Sequence, residues 1–454
     1  MSVAINFKEI TKAVSEQLET CLTVKSVVDP LNKFQQQMYV HAFDIVQNQV
    51  YLPFSFFYHH QESKGLKKLP SVSHLQQKYK FEGSLLPRQL DIKEETLEIL
   101  SRTGSVVLCL HTGFGKTIFA IYLLSRLGLK TLILCHRSII IQQWVDSVKR
   151  HLPAVRVGVM NLAEYKKNSE CWKDLDVLVC NVINIPKCPR EVYAPFGCVV
   201  VDEVHTICTT QFSKSLPLLT PSYLIGLSAT PFRSDGMDQL LELYFGPEII
   251  YKPMQRFFNA YKLSTGFVPT VTLTADGKMN WNSVLESQAT SRVRNELICR
   301  LVTYFEKRNI LILVKRKDHA LGLKQMLLEK KEDADCFIHT AKSANYECRI
   351  LIATYSKGGV GFDHPRLDML ITGADVEENF MQYLGRVFRR DDVLPIYIDL
   401  RDSMSTLVKH SQSRLKICKE IGGEVKEFDK TFLNKNTCFY FFYELSFYPS
   451  TLEK

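Results

Sequence analysis

Apolar residues fall along this chain in two rhythms. From about residue 85, short apolar runs of strand length recur: "SVVLCL" (105–110), "KTLILC" (130–135), "VRVGVM" (155–160), "DVLVC" (176–180), "CVVVD" (198–202) and "YLIGLSAT" (223–230). Segments of helical period lie between them, such as "KTIFAIYLLSRLG" (116–128) and "IIIQQWVDSVKRHL" (139–152). Near-continuous apolar strands alternating with amphipathic helices predict βαβ units on a parallel sheet covered on both faces. A second such series starts near 290. It runs through helix "SRVRNELICRLVTYFEKR", strand "NILILV", helix "DHALGLKQMLLEKK" and strands "DCFIH", "RILIAT", "LDMLIT" and "PIYIDL". The expected fold class is therefore α/β, with two parallel-sheet domains in tandem.

The ends differ from this pattern. Residues 1–84 offer a helix, "FKEITKAVSEQLE", an aromatic strand-like stretch, "QVYLPFSFFYHH", and a Lys/Gly-rich loop, "ESKGLKKLP". They are expected to form a small α+β accessory domain, either an extra layer on the core or a nucleic-acid contact. The first α/β domain then covers 85–255, a connector with at most one strand covers 256–285, and the second domain covers 286–430. The extension 431–454 carries the aromatic run "CFYFFYELSFYP", read as a terminal strand because burial is the usual fate of aromatics.

Composition narrows the class. The chain has 454 residues, too many for one core. At 46% hydrophobic and 23% charged it is ordinary for a globular protein. It has no apolar run long enough for a membrane span and opens with no signal-peptide pattern. Thirteen cysteines at irregular spacing, several inside apolar runs, suggest free thiols in a reducing compartment. Those between 171 and 208 lack the spacing of an iron–sulfur site and are expected to be structural. The net charge of +9 suits a polyanionic partner without requiring one.

The chemistry sits at strand ends. "LHTGFGKT" (110–117) follows one strand and opens a helix, the setting of a phosphate-binding loop. Gly113 and Gly115 would let the loop of His111, Thr112, Gly113, Phe114 and Gly115 turn its N–H groups inward. Lys116 would reach the terminal phosphates of ATP and Thr117 would ligate Mg²⁺. Leu110 stands where the strict pattern has a glycine. "CVVVDEVH" (198–205) is a strand ending in two carboxylates. Asp202 is assigned to the metal and Glu203 to general-base duty on the attacking water. "LSATPFR" (227–233) gains weight only from its position after that acidic box.

In the second domain, "IATYSKGGVGFD" (352–363) is a glycine-rich turn after a strand. In "MQYLGRVFRR" (381–390), Gln382, Arg386 and Arg389 stand at i, i+4, i+7, which predicts one face of one helix. Arg390 extends the cluster, and Gly385 within a helix wants a reason such as close approach. Crowded cations call for anions, and the second domain has no phosphate loop of its own. The anions are read as the phosphates of ATP on the first domain, met by Arg386 and Arg389 across a cleft.

Taken in order, TGxGKT, DEVH, SAT, a glycine-rich loop and QxxGRxxR resemble a superfamily 2 helicase with a DExH box, over about 85 to 405. The run "IGLSATPFRSDGMDQLLELYFGP" is similar to the XPB and phage UvsW branch, and above all to transcript-release-type helicases of large DNA viruses. The resemblance implies two tandem RecA-like domains. It places Gln89, in "LLPRQLD", at the adenine and Asp363 at the ribose. It makes His205, Ser228, Thr230 and Gln382 coupling residues, and sets His136, Arg137, Thr354 and Gly358 along a nucleic-acid strand. It implies an ATP- and Mg²⁺-dependent motor, working as a monomer on DNA in preference to RNA. Its setting would be transcript release, repair or recombination in an infected cell or virion, with transcription or repair proteins as partners. The sequence departs from the pattern at Leu110, at "CNVIN" (180–184), which lacks the usual threonine, and in the short segment 339–349. The rival readings are an ATP-gated clamp that does not unwind, and a small-molecule kinase or transport ATPase. The last leaves the arginine segment unexplained.

Overall fold

A computed structural model of the chain describes residues 1–27, 37–60, 63–69, 78–207, 209, 213–229, 237–338, 345, 347–358, 364–377, 379–390 and 392–434. They divide into two compact units, Met1–Met254 and Gln255–Lys454.

The first unit opens with five short strands: β1 (Ser2–Asn6), β2 (Thr23–Lys25), β3 (Tyr39–His41), β4 (Asp44–Val46) and β5 (Gln49–Pro53). β1, β5 and β4 form an antiparallel sheet, and β2 pairs with β3. Two local readings need correction here. The expected helix over 7–19 is a 3₁₀ turn at Phe7–Glu9, a break, then a helix at Lys12–Leu22. Thr11 starts that helix, its hydroxyl accepting the Val14 N–H at 3.4 Å. The aromatic stretch 49–60 is a strand only to Pro53, which lacks a donor to continue the ladder. Helix Phe54–His59 follows and buries Phe54 and Phe56.

These residues are not a separate body. Val3, Leu52, Phe54 and Phe56 share one hydrophobic cluster with Leu240, Leu241, Tyr244 and Phe245 of helix Asp238–Phe245. Tyr244 donates its hydroxyl to Ala42 O at 3.0 Å, and Arg190 pairs with Asp44 at 2.9 Å. The Phe54 ring lies so close to Gly104 that a Cβ there would stand 2.9 Å from it. Residues of β1, β5 and helix Phe54–His59 thus share core with helix Asp238–Phe245.

The main sheet of this unit holds β6 (Ser105–Leu110), β7 (Thr131–Cys135), β8 (Val157–Val159), β9 (Val177–Asn181), β10 (Cys198–Asp202), β11 (Tyr223–Ser228) and β12 (Ile249–Lys252). Its order is β12-β6-β11-β10-β7-β9-β8, and every pairing is parallel. β6 and β7 are buried along their whole length, as a sheet covered on both faces demands.

The second unit repeats the plan with β13 (Phe258–Ser264), β14 (Ile310–Val314), β15 (Ala334–Phe337), β16 (Ile350–Thr354), β17 (Met369–Thr372), β18 (Ile396–Arg401) and β19 (Gly423–Glu427). Its parallel order is β15-β16-β14-β17-β18-β13-β19. β13, the one strand allowed in the connector, lies inside this sheet between β18 and β19. Two tandem seven-stranded parallel sheets match the RecA-like plan.

The arginine segment differs from expectation. The α-helix runs only from Phe380 to Leu384, Gly385–Val387 is a 3₁₀ turn, and Phe388 leaves the helix altogether. Gly385 is thus a helix terminus rather than a mid-helix residue. Val387 and Phe388 are drawn into the core, where Phe388 packs on Phe258 at 4.9 Å between ring centroids. The i, i+4, i+7 face therefore does not exist as one α-helical stripe. The aromatic run 438–449 and most of 339–349 lie outside the described residues.

Candidate active site

β6, β11 and β10 are neighbours, and the three sequence motifs leave their carboxyl ends side by side. In register, Leu227 pairs with Asp202 on one side and Ser228 with Cys109 on the other. Such a carboxyl edge is where parallel α/β sheets bind ligands.

The loop after β6 has the conformation a phosphate nest requires. Gly113 and Gly115 are left-handed, at φ 89° and 91°, and helix Lys116–Leu127 starts at once. A Cβ on Gly115 would fall 2.4 Å from Gln89 Nε2. Three loop carbonyls are held from outside. Arg88 donates from Nη2 to Gly113 O at 2.8 Å and from Nε to Phe114 O at 3.3 Å. Gln89 donates from Nε2 to Phe114 O at 3.3 Å and to Gly115 O at 3.1 Å, while its Oε1 accepts the Leu86 N–H at 2.8 Å. Gln89, which the resemblance places at the adenine, is buried and braces the loop. Lys116 Nζ donates to Leu110 O at 2.9 Å, and the His111 ring meets Phe114 edge to face. Thr112 and Thr117 are half-buried, Thr117 in the first turn of the helix.

The acidic pair ends β10. Asp202 Oδ2 accepts the indole N–H of Trp144 at 2.8 Å, and Oδ1 accepts the Glu203 N–H at 3.0 Å. Burial, and then the Glu203 carboxylate, push the Asp202 carboxyl up to about 6, against the Trp144 hydrogen bond and the Lys116 ammonium. Glu203 is a non-glycine residue at φ 48°, a strained conformation of the kind stored at functional sites. Its Oε2 is buried and has no hydrogen-bond partner among the described residues. His205 Nδ1 stands 3.6 Å from that oxygen and shares a hydrogen bond with Ser228 Oγ at 2.8 Å. The acidic box is thereby tied to the end of β11. Thr230 lies outside the described residues.

This donor set fits Mg²⁺. A hard ion that keeps waters and takes phosphate oxygens needs only one or two protein oxygens, for which Asp202 and the Thr117 hydroxyl are the candidates. Among the described residues no group of three or more His, Cys, Asp or Glu could hold a metal ion by itself. Cys109, beside Lys116 and Glu203, stays a thiol: burial pushes it up to about 12.

His136 and Arg137 follow β7. Arg137 is exposed at the start of helix Ser138–His151. His136 is half-buried with Nδ1 unpartnered among the described residues, and burial, Arg137 and His205 hold it down at about 4. Asn181, in the "CNVIN" segment that lacks a threonine, donates to His136 O at 3.4 Å.

In the second unit, Thr354 and Gly358 are both buried. Thr354 Oγ1 meets Ser356 Oγ at 3.2 Å, and a Cβ on Gly358 would fall 2.6 Å from Leu313. Neither offers an open surface here. Asp363 lies outside the described residues. Gln382, Arg386 and Arg389 are half-buried. Arg390 has its anions within the unit: Asp392 at 2.6 Å and Asp368 at 3.3 Å.

Two groups escaped sequence reasoning. Trp144 and Arg88 touch site atoms through contacts 58 and 25–26 residues apart in sequence. The other is a buried polar network within the second unit. Arg294 and Asp402 pair at 3.0 Å with both side chains 1% exposed, joined by Gln288 at 2.7 Å. Arg414 binds Asp399 at 2.7 Å and Asp375 at 2.9 Å.

Comparison with known proteins agrees with this geometry. Residues 82–233 match the family model "Type III restriction enzyme, res subunit". The chain is 36% identical to "Putative helicase 161L" of Invertebrate iridescent virus 6, over 94% of this chain and 100% of that protein. It is 28% identical to "Putative ATP-dependent RNA helicase QP509L" of an African swine fever virus isolate, over 72% of this chain and 70% of that one. Among solved structures, yeast Dbp5 bound to RNA and ADP BeF3 superposes with a TM-score of 0.53 at 14% identity, covering 77% of this chain and 95% of that chain, which supports the fold. With the nest-forming loop, the paired acids and a relative matched over its whole length, the chain belongs to the superfamily 2 helicase family that includes that iridescent virus protein.

Proposed function

We propose that this helicase is a nucleic-acid-stimulated ATPase that moves along DNA, separating or remodelling strands as it hydrolyses ATP. The observation that carries the reading is the shared strand edge. A nest-forming loop at the end of β6 stands across β11 from the end of β10, where Asp202 is half-buried and Glu203 has a carboxylate oxygen without a hydrogen-bond partner among the described residues.

In this reading the loop N–H groups and Lys116 hold the β- and γ-phosphates. Asp202 and Thr117 would hold Mg²⁺, which when bound would supply positive charge against the phosphates. Glu203 Oε2 accepts a proton from the attacking water, its ionised form being the one that can do so. Arg386 and Arg389 meet charge on the transferring phosphoryl group, an assignment that rests on the QxxGRxxR resemblance. His205, hydrogen-bonded to Ser228, passes the nucleotide state from the acids to β11. Arg137 would contact the phosphate backbone, so binding should be sequence-tolerant and salt-sensitive.

DNA is favoured by the resemblance to the XPB and UvsW branch. RNA is the second reading, favoured by the name of the African swine fever virus relative. ATPase rates with single-stranded DNA, double-stranded DNA and RNA, for wild type, Lys116→Ala and Arg386→Ala, decide between them. Stimulation by DNA that both variants lose supports the proposal, and stimulation by RNA alone replaces the track. If no polymer stimulates hydrolysis, or Arg386→Ala hydrolyses ATP normally, the motor reading fails. Tight ATP-dependent binding without unwinding would favour the clamp.

A further inference from the structure

We infer that Arg88 is a positioning residue for the phosphate loop, holding its peptide groups in the anion-binding orientation before nucleotide arrives. The inference rests on reading 111–117 as that loop.

A nest turns successive N–H groups inward, which turns the attached carbonyls outward. An outward carbonyl needs a donor, or its peptide can rotate and withdraw the N–H on its far side. Each held carbonyl fixes the amide of the next residue. Arg88 on Gly113 O fixes the Phe114 N–H, which donates back to His111 O at 3.1 Å and closes the turn. Arg88 and Gln89 together on Phe114 O fix the Gly115 N–H, and Gln89 on Gly115 O fixes that of Lys116. A cation on the carbonyl also polarises the peptide and strengthens its N–H as a donor.

Arginine is suited to this. Its rigid fork spans two acceptors, where an ammonium is a point charge. Its guanidinium carbon also stands 5.9 Å from the centroid of the buried Phe114 ring, so the fork is guided from one side. Arg88 is itself exposed, so changing it leaves the core intact.

The test uses the full-length chain. Binding of ATP, ADP and adenosine is measured by competition against a fluorescent ADP analogue, for wild type, Arg88→Met, Arg88→Lys and Lys116→Ala. Arg88→Met should weaken ATP and ADP about tenfold, the scale of one charge-assisted hydrogen bond. Adenosine affinity and melting temperature should stay unchanged, and Arg88→Lys should recover part of the loss. Wild-type ATP affinity in Arg88→Met overturns the inference. So does an equal loss for adenosine, which would make Arg88 a base contact, or a drop in melting temperature that accounts for the loss. If Lys116→Ala binds ATP normally, the phosphate-loop reading itself fails, and the Arg88 result is then no longer about phosphate.

Discussion

Trp144 donates its indole N–H to Asp202 Oδ2 at 2.8 Å, tying the buried face of helix Ser138–His151 to the carboxylate that ends β10. One oxygen of that carboxylate is thereby fixed in direction, and its charged form is favoured against the burial that raises its pKa. Trp144→Phe keeps most of the ring volume and removes the donor. Outer-shell partners of this kind are worth about 10–100-fold in metal affinity. The Mg²⁺ concentration for half-maximal ATPase should rise by that order, with a stability loss of about 1.5–3 kcal/mol. A Mg²⁺ titration of hydrolysis beside a urea melt checks both.

Glu203→Gln separates binding from chemistry. The amide cannot take a proton from water, so hydrolysis should fall about 10²–10⁴-fold. Nucleotide affinity should persist, because the phosphate loop and Asp202 are untouched. Stability should not fall, since the replaced Oε2 has no hydrogen-bond partner among the described residues to lose. Single-turnover hydrolysis with parallel nucleotide binding is the measurement.

His136 gives the first unit an acid weakness. Its folded value is about 4 against an ordinary 6.5, so as pH falls below 6.5 the unfolded chain takes up a proton that the folded one refuses. Stability contributed by the neutral ring is full above 6.5 and drains away between 6.5 and about 4. At about 1.4 kcal/mol per pH unit the loss approaches roughly 3 kcal/mol. His136→Asn should flatten the urea midpoint over that window.

Breaking the Arg294–Asp402 pair should cost far more than breaking any exposed pair. Both side chains are buried, and Asp402 also accepts from Thr265 at 2.6 Å and Gln288 at 2.7 Å. Arg294→Met leaves that carboxylate without its cation, at a cost of about 3–5 kcal/mol. Removing the exposed Lys173–Glu170 pair should cost about 0–1 kcal/mol. Thermal melts of the two variants make the comparison.

Much of the frame could be read from the chain alone, because a strand buried on both faces is written as an unbroken apolar run. "SVVLCL" and "TLILC" are the clearest cases. The loop was legible because left-handed backbone calls for glycine, and Gly113 and Gly115 stand where it is needed. Helix ends decided by tertiary packing were not legible. Nothing local says that Val387 and Phe388 will abandon a helical stripe for the core. Nor could Trp144 be told from any other tryptophan on an amphipathic helix, since its partner lies on another strand. Arg88 reads as a solvated charge until the carbonyls it holds are seen.

The seam of Phe54 and Phe56 against helix Asp238–Phe245 changes how the chain can be cut. A fragment begun at residue 82, where the restriction-enzyme family match starts, would keep every residue assigned to ATP in the first unit. It would also leave Leu240, Leu241, Tyr244 and Phe245 without Phe54 and Phe56, which share their cluster. Such a fragment would clump, and its failure to hold nucleic acid would report colloidal behaviour rather than recognition. Nor can the first sixty residues be exchanged among relatives as a cassette. They can drift only in step with the helix they cover, so a chimera between two of these viral proteins must carry both pieces from the same parent.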